Sequence, residues 1–357
     1  MNRSRREFLS DAASAAAWLT APAASASAAP TLNRRRFGFG AAVAMADLDV
    51  DPRLARAVAD YCTQIVPVYE LKWGPLRPTR QAFAFEAGDA LLDFAHRNDL
   101  KMRGHNLVWY YGLPDWTREI SSSAEAEREL LRHIETVVSH YRSRLVSWDV
   151  INEPISEHAR NPSDRRETLW TRFLGQSYAG IAFRAAAAAD PGARLVLNEY
   201  GVEFLDPASQ MKRAALRRLA LELLDGGAPL HAIGLQCHLN GALPIDRDGV
   251  TKFVQEMRDE GLDVYVTELD MQDQFLPTPI AERDAIVARQ VSDILSAISA
   301  PAPIGALLTW GLSDRYSWIS QMFPRADHTP NRPLPLDAEF QPKPFMAVIE
   351  KFTKPLA

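Results

Sequence analysis

Leu145-Val146-Ser147-Trp148-Asp149-Val150-Ile151-Asn152-Glu153 and Leu262-Asp263-Val264-Tyr265-Val266-Thr267-Glu268 are short apolar runs, and each ends on a glutamate. Both are rich in β-branched and aromatic residues and read as buried strands. A carboxylate at the end of a buried strand is costly unless it sits at a solvent-facing mouth with partners. Two of them, from distant parts of one chain, are what a carboxylate-pair enzyme needs. In glycoside hydrolysis one carboxyl protonates the leaving oxygen while the other attacks or activates water.

Working outward, strand-like runs cover 37–43, 64–68, 102–108, 145–151, 194–197, 232–236, 263–267 and 304–309, with helical patterns between them. Asp51-Pro52 supplies an N-cap and a helix-start proline ahead of Leu54, Val58, Tyr61, Cys62 and Ile65. Ser122 with Glu125 predicts a capping box ahead of Leu130, Ile134, Val137 and Tyr141. Ile286, Val287, Val291, Ile294, Leu295 and Ile298 form another helical stripe. Strands alternating with helices in this number predict an α/β fold, a single (β/α)8 TIM barrel, with its chemistry at the C-terminal ends of the strands. Polar and aromatic residues gather at those ends: Glu70 and Lys72, His105 and Trp109, Asn152 and Glu153, Asn198 and Glu199, Gln236 and His238, Glu268 and Asp270, Trp310. The proline-rich stretch 324–344 reads as a long surface loop before a short terminal helix.

The chain has 357 residues, 47% hydrophobic and 24% charged, with a formal charge of -5. This balance, without a basic stripe, argues against a nucleic-acid partner and suits a neutral glycan. The start, Ser4-Arg5-Arg6-Glu7-Phe8-Leu9, precedes an alanine-rich apolar stretch and small-residue sites near residues 24–28. That pattern predicts a cleavable twin-arginine-type export signal over 1–28, with one barrel over 34–357 in the periplasm or outside the cell. Cys62 and Cys237 show no metal-ligand spacing and read as buried free thiols. No HExxH, EF-hand loop, phosphate loop or complete dinucleotide fingerprint occurs, so neither metal nor cofactor is expected. After the export segment no run is apolar enough to span a membrane, and a monomer is expected.

Six groups of residues, in order, resemble glycoside hydrolase family 10. They are Arg103-Gly104-His105-Asn106-Leu107-Val108-Trp109, Trp148-Asp149-Val150-Ile151-Asn152-Glu153, Gly234-Leu235-Gln236-Cys237-His238-Leu239 and Val266-Thr267-Glu268-Leu269-Asp270, then Thr309-Trp310-Gly311-Leu312-Ser313-Asp314 with Ser317-Trp318, and Pro335-Leu336-Asp337 with Pro342-Lys343-Pro344. The resemblance implies a retaining endo-1,4-β-xylanase with Glu153 as acid/base and Glu268 as nucleophile. It further implies that Lys72, His105, Trp109, Asn152, Gln236, His238, Trp310 and Trp318 bind or wall the sugar, with Glu70 and Asp270 in support. The residues agree with this independently. Asn152 can bind a sugar 2-hydroxyl, and an Asp270–His238–Glu268 chain would keep the nucleophile ionised and oriented.

Three departures stand out. The family's Pro-Glu-Asn-Glu-x-Lys-Trp is Pro67-Val68-Tyr69-Glu70-Leu71-Lys72-Trp73, so the pair expected to grip the second glycone sugar is Val68-Tyr69. The usual His and Gln after the third-strand tryptophan are Tyr110 and Gly112, and the fifth-strand Asn-Asp-Tyr-Asn is Asn198-Glu199-Tyr200-Gly201. These leave two further readings open: a retaining barrel glycosidase on a branched or other β-linked glycan, and a non-catalytic carbohydrate-binding barrel. Retention of both Glu153 and Glu268 speaks against the latter.

Overall fold

Eight parallel staves form the ring: β1 (Phe39–Val43), β2 (Gln64–Pro67), β3 (Lys101–Met102 continued by Gly104–Val108), β4 (Ser147–Asn152), β5 (Arg194–Glu199), β6 (Ala232–Leu235), β7 (Asp263–Gln272) and β8 (Leu307–Thr309). The structure is a computed structural model and describes residues 39–353, so the expected export segment lies outside the described residues. Hydrogen bonding runs β3–β2–β1–β8–β7–β6–β5–β4, and every neighbouring pair is parallel. The ring closes through β3. Lys101–Met102 pairs with β2 and Gly104–Val108 with β4, while Arg103 between them still donates its N–H to Ile65 O at 2.9 Å. The predicted (β/α)8 barrel is what the chain forms.

Strand alternation divides the core. Ala41, Ile65, Leu195, Leu197, Ile233 and Val264 face the surrounding helices, while Ala42, Val66, Val196, Ala232, Tyr265 and Leu308 fill the barrel. The same alternation carries Asn198, Gln236 and Thr267, two or four residues beyond Val196, Ala232 and Tyr265, to the inner side near the mouth. The helices start where local chemistry starts them. Asp51 accepts from Arg53 N ahead of Pro52–Tyr61, and Asp206 accepts from Ala208 N and Ser209 N ahead of Pro207–Asp225. A short strand, His238–Asn240, adds to the extended end of β7.

Some expectations need correction. Ile65 belongs to β2 and not to the preceding helix, which ends at Tyr61 with Cys62 as its cap. The capping box at Ser122 is half made. Ser122 accepts from Glu125 N, but the Glu125 carboxylate takes Ser121 N–H at 3.0 Å. Cys237 lies just past β6 at φ 58°, and both thiols are free and buried. The stretch 324–344 is no plain surface loop. Leu334 and Leu336 are fully buried, Leu336 bridges to Ser313 and Pro342, and Lys343 reaches Asp314 Oδ2 at 2.8 Å. Prolines here supply extended backbone that packs against the barrel instead of leaving it.

Candidate active site

The mouth is assembled by register. Asn152 on β4 lies level with Asn198 on β5, and Asn198 lies level with Gly234 on β6. A Cβ on Gly234 would stand 2.2 Å from Asn198 Oδ1, so only glycine leaves room for this amide. Asn198 Nδ2 donates to Asn152 Oδ1 at 2.8 Å and to Glu268 Oε1 at 2.7 Å, while its Oδ1 accepts from Thr267 Oγ1 at 2.7 Å. Gln236 Nε2 donates to Asn152 Oδ1 at 3.2 Å and to Glu153 Oε1 at 3.1 Å. The two strand-end glutamates thus belong to one hydrogen-bonded amide cluster.

Their surroundings differ. Glu153 is partly exposed; its Oε2 accepts from Trp109 Nε1 at 2.8 Å and its Oε1 from Asn152 Nδ2 at 3.2 Å. Every one of these donors is neutral. Glu268 is 4% exposed and faces His238 Nε2 at 3.3 Å, with His105 Nδ1 4.0 Å away. Burial alone would push the Glu268 carboxyl up, but hydrogen bonds from His238 and Asn198 and the nearby His105 hold it below the usual glutamate range. Burial likewise works against a charged His238. Asp270 Oδ1, 2.8 Å from its Nδ1, together with Glu268 overcomes this and raises His238 well above the ordinary histidine value. Trp318 Nε1 completes the chain by donating to Asp270 Oδ2 at 2.7 Å.

The remaining expected residues line the same mouth. Lys72 Nζ lies 4.6 Å from the Trp109 ring centre and 5.7 Å from that of Trp310. Burial lowers its pKa, opposed by Glu268, Glu153 and Glu70. Trp310 meets His105 and His238 edge-on at 5.1 and 6.3 Å. Glu70 is buried and spends its carboxylate on backbone, accepting from Met45 N at 2.6 Å and Tyr69 N at 3.2 Å, which ties the β2 loop to the end of β1. His105 is oriented by Asp149 Oδ2 at 3.0 Å, and Asp149 is itself paired with Arg103 at 2.6 Å. Asn198, Thr267, Asp149 and Arg103 belong to this site although the sequence reading gave them no role. Asn198 was visible as a strand end, and Arg103 and Asp149 stand inside the quoted motifs. Strand alternation was the signal for the latter two, since Arg103 and His105 share a face with Ser147 and Asp149 on the next strand.

Among the described residues no cluster of three or more His, Cys, Asp or Glu side chains could hold a metal ion, and no helix is long and apolar enough to cross a membrane. The arrangement offers instead a buried ionised carboxylate and a more open carboxyl, joined by amides and walled by Trp109, Trp310 and Trp318.

The profile of glycosyl hydrolase family 10 matches residues 29–351. The chain is 33% identical over 299 residues to endo-1,4-beta-xylanase B of Paenibacillus barcinonensis, covering 80% of this chain and 87% of that protein. It is 34% identical over 264 residues to endo-1,4-beta-xylanase C of Phanerodontia chrysosporium, covering 73% of this chain and 63% of that protein. The crystal structure of native xylanase 10B from Thermotoga maritima superimposes with a TM-score of 0.79 at 28% identity, over 89% of this chain and 94% of that one. Barrel, mouth and sequence agree, and the chain belongs to glycosyl hydrolase family 10 as a glycoside hydrolase.

Proposed function

We propose that this enzyme is a retaining endo-1,4-β-xylanase with Glu268 as nucleophile and Glu153 as acid/base. The observation that carries the assignment is the unequal environment of the two carboxyls. Glu268 is buried and held in its ionised form by His238 and Asn198, whereas Glu153 is partly exposed and receives only neutral donors. A buried, oriented carboxylate suits attack on the anomeric carbon, and a carboxyl open to the cleft suits proton exchange with a leaving oxygen and then with water.

In the first step a Glu268 oxygen bonds to the anomeric carbon as the glycosidic C–O bond breaks, and Glu153 gives its proton to the departing oxygen. In the second, water attacks the same carbon, its proton passes to Glu153, and the Glu268 ester bond breaks. Two inversions leave the configuration retained. Asn152 has one amide N–H left over for the sugar 2-hydroxyl, Asn198 holds Asn152 and Glu268 in place, and the tryptophans offer flat apolar faces to pyranose rings. The named activity of the relatives supports xylan as the substrate. Replacement Glu268→Ala tests the assignment, because no neighbouring group can form the glycosyl-enzyme bond. The expected result is loss of turnover with the fold intact by circular dichroism. Near-normal hydrolysis of an aryl β-xylobioside by that variant would overturn it.

A further inference from the structure

We infer that Glu199 and Arg166 are positioning residues for Glu153, clamping the Glu153-Pro154-Ile155 turn from two sides. The inference rests on the reading of Glu153 as the acid/base. The turn needs holding, because Glu153 has φ 54°, a left-handed conformation that side-chain-bearing residues rarely adopt. Such backbone persists where its surroundings over-determine it.

On the barrel side, Glu199 Oε2 accepts the Ile155 N–H at 2.9 Å. Its other oxygen accepts Tyr200 N–H at 3.0 Å and meets Lys212 Nζ at 3.0 Å, so the buried carboxylate is itself fixed. On the outer side, Arg166 Nε donates to Glu153 O at 2.9 Å, and its backbone N–H donates to Pro154 O at 2.7 Å. The Arg166 guanidinium lies 4.1 Å from the Tyr110 ring centre and donates to Tyr200 Oη at 3.1 Å. The Glu153 N–H donates to Asn198 O at 2.9 Å. Glu153 N–H and C=O, Pro154 C=O and Ile155 N–H therefore all have partners, and two of the four come from side chains anchored elsewhere, Arg166 and the Glu199 carboxyl, which burial pushes up to about 7. Neither residue hydrogen-bonds the Glu153 carboxyl, whose partners are Trp109, Asn152 and Gln236, so both hold it in place through its backbone. A general acid displaced by even a fraction of its hydrogen-bond length loses reach to the leaving oxygen, whereas the nucleophile Glu268 takes its hydrogen bonds from Asn198 and His238 and not from either clamp side chain.

That difference gives the test. Glu199→Ala and Arg166→Ala should lower kcat/KM on xylotetraose by about 100-fold and about 10-fold respectively, yet change it less than about threefold on 2,4-dinitrophenyl β-xylobioside, whose leaving group needs no proton. Glu153→Ala, measured alongside, should show the same split more strongly. Equal losses on both substrates in the clamp variants, or no loss on either, overturn the clamp. If Glu153→Ala itself shows no split, the acid/base assignment falls instead. Should Glu199→Ala fail to fold, Arg166→Ala replaces a partly exposed side chain and decides the question by the same ratio.

Discussion

Glu268 owes its charge mainly to His238, and His238 owes its own to Asp270 first and Glu268 second. The carboxylate sits at 4% exposure, where desolvation disfavours ionisation, and the imidazole between it and Asp270 faces the same penalty. The imidazolium is tolerated because Asp270 first and Glu268 second offset its burial, and the Glu268 carboxylate because His238 faces it, so the three should titrate as a unit. The direction of the shift sets the pH dependence. Glu268 is depressed, so it stays ionised as pH falls through about 4.3, the ordinary glutamate value, and loses its charge only below that. Its stabilising contribution is likewise present above that value and lost as pH drops through the lower, folded one. The acid limb of kcat/KM is therefore expected below about pH 4.3 on a neutral oligosaccharide. His238→Asn keeps a possible hydrogen bond but removes the positive charge, and it should move that limb upward. A limb that stays in place in the variant would show that His238 orients Glu268 without setting its ionisation.

The loop after β2 departs from the family pattern most sharply. Val68 packs against the inner barrel cluster beside Trp310, and Tyr69 stands 60% exposed with only its backbone tied to Glu70. Two side chains expected to hydrogen-bond a second glycone sugar have been exchanged for an apolar residue and an open aromatic one. At roughly 0.5–1.5 kcal/mol per neutral hydrogen bond the loss is about 1–3 kcal/mol, or roughly five- to 150-fold in affinity. Val68→Glu with Tyr69→Asn should then raise kcat/KM on xylotriose and longer chains and leave a simple aryl xyloside nearly unchanged. A double variant that is no better, or worse, on the longer chains would identify Tyr69 as a working contact and point to a branched or non-xylan glycan as the substrate. The elements themselves were largely legible, because buried parallel strands declare themselves by unbroken apolar runs and helices by their caps. The junctions were not. Arg103 meets Asp149 where β3 passes from pairing with β2 to pairing with β4, and the reach of Asn198 depends on Gly234 lying level with it. Both facts are matters of register, which no single segment carries. The segment 324–344 misread for a related reason: composition suggested a surface loop, while its partners lie elsewhere in the chain.

At the scale of the whole molecule, that segment decides how the barrel's last wall is held. Residues 323–343 follow the loop that bears Trp310 and Trp318, and they are fastened by buried charges instead of regular structure. Asp273, fully buried, accepts from Asn331 Nδ2 at 2.7 Å and Arg332 N at 2.9 Å, and Arg332 pairs with Asp284 at 2.7 Å. Lys343 meets both oxygens of Asp314 at 2.9 and 2.8 Å and also donates to Arg332 O at 2.9 Å. Asp314 in turn accepts the Leu334 N–H at 3.0 Å. Pairs this deep repay little over their desolvation, yet removing one partner strands the other without water. Lys343→Met is therefore expected to cost up to about 3–5 kcal/mol of unfolding free energy at alkaline pH, because Asp314, already pushed up to about 6 by burial, would have to take up a proton or remain a buried, half-satisfied carboxylate. Adding Asp314→Asn keeps an acceptor for Leu334 N–H and removes the stranded charge, so the double variant should recover a large part of that loss. Urea unfolding of the single and double variants measures both terms. If the double variant is as unstable as Lys343→Met or worse, the stranded charge is not the cost, and the strap is held by the packing of Leu334 and Leu336 and the lysine's contact with Arg332 O.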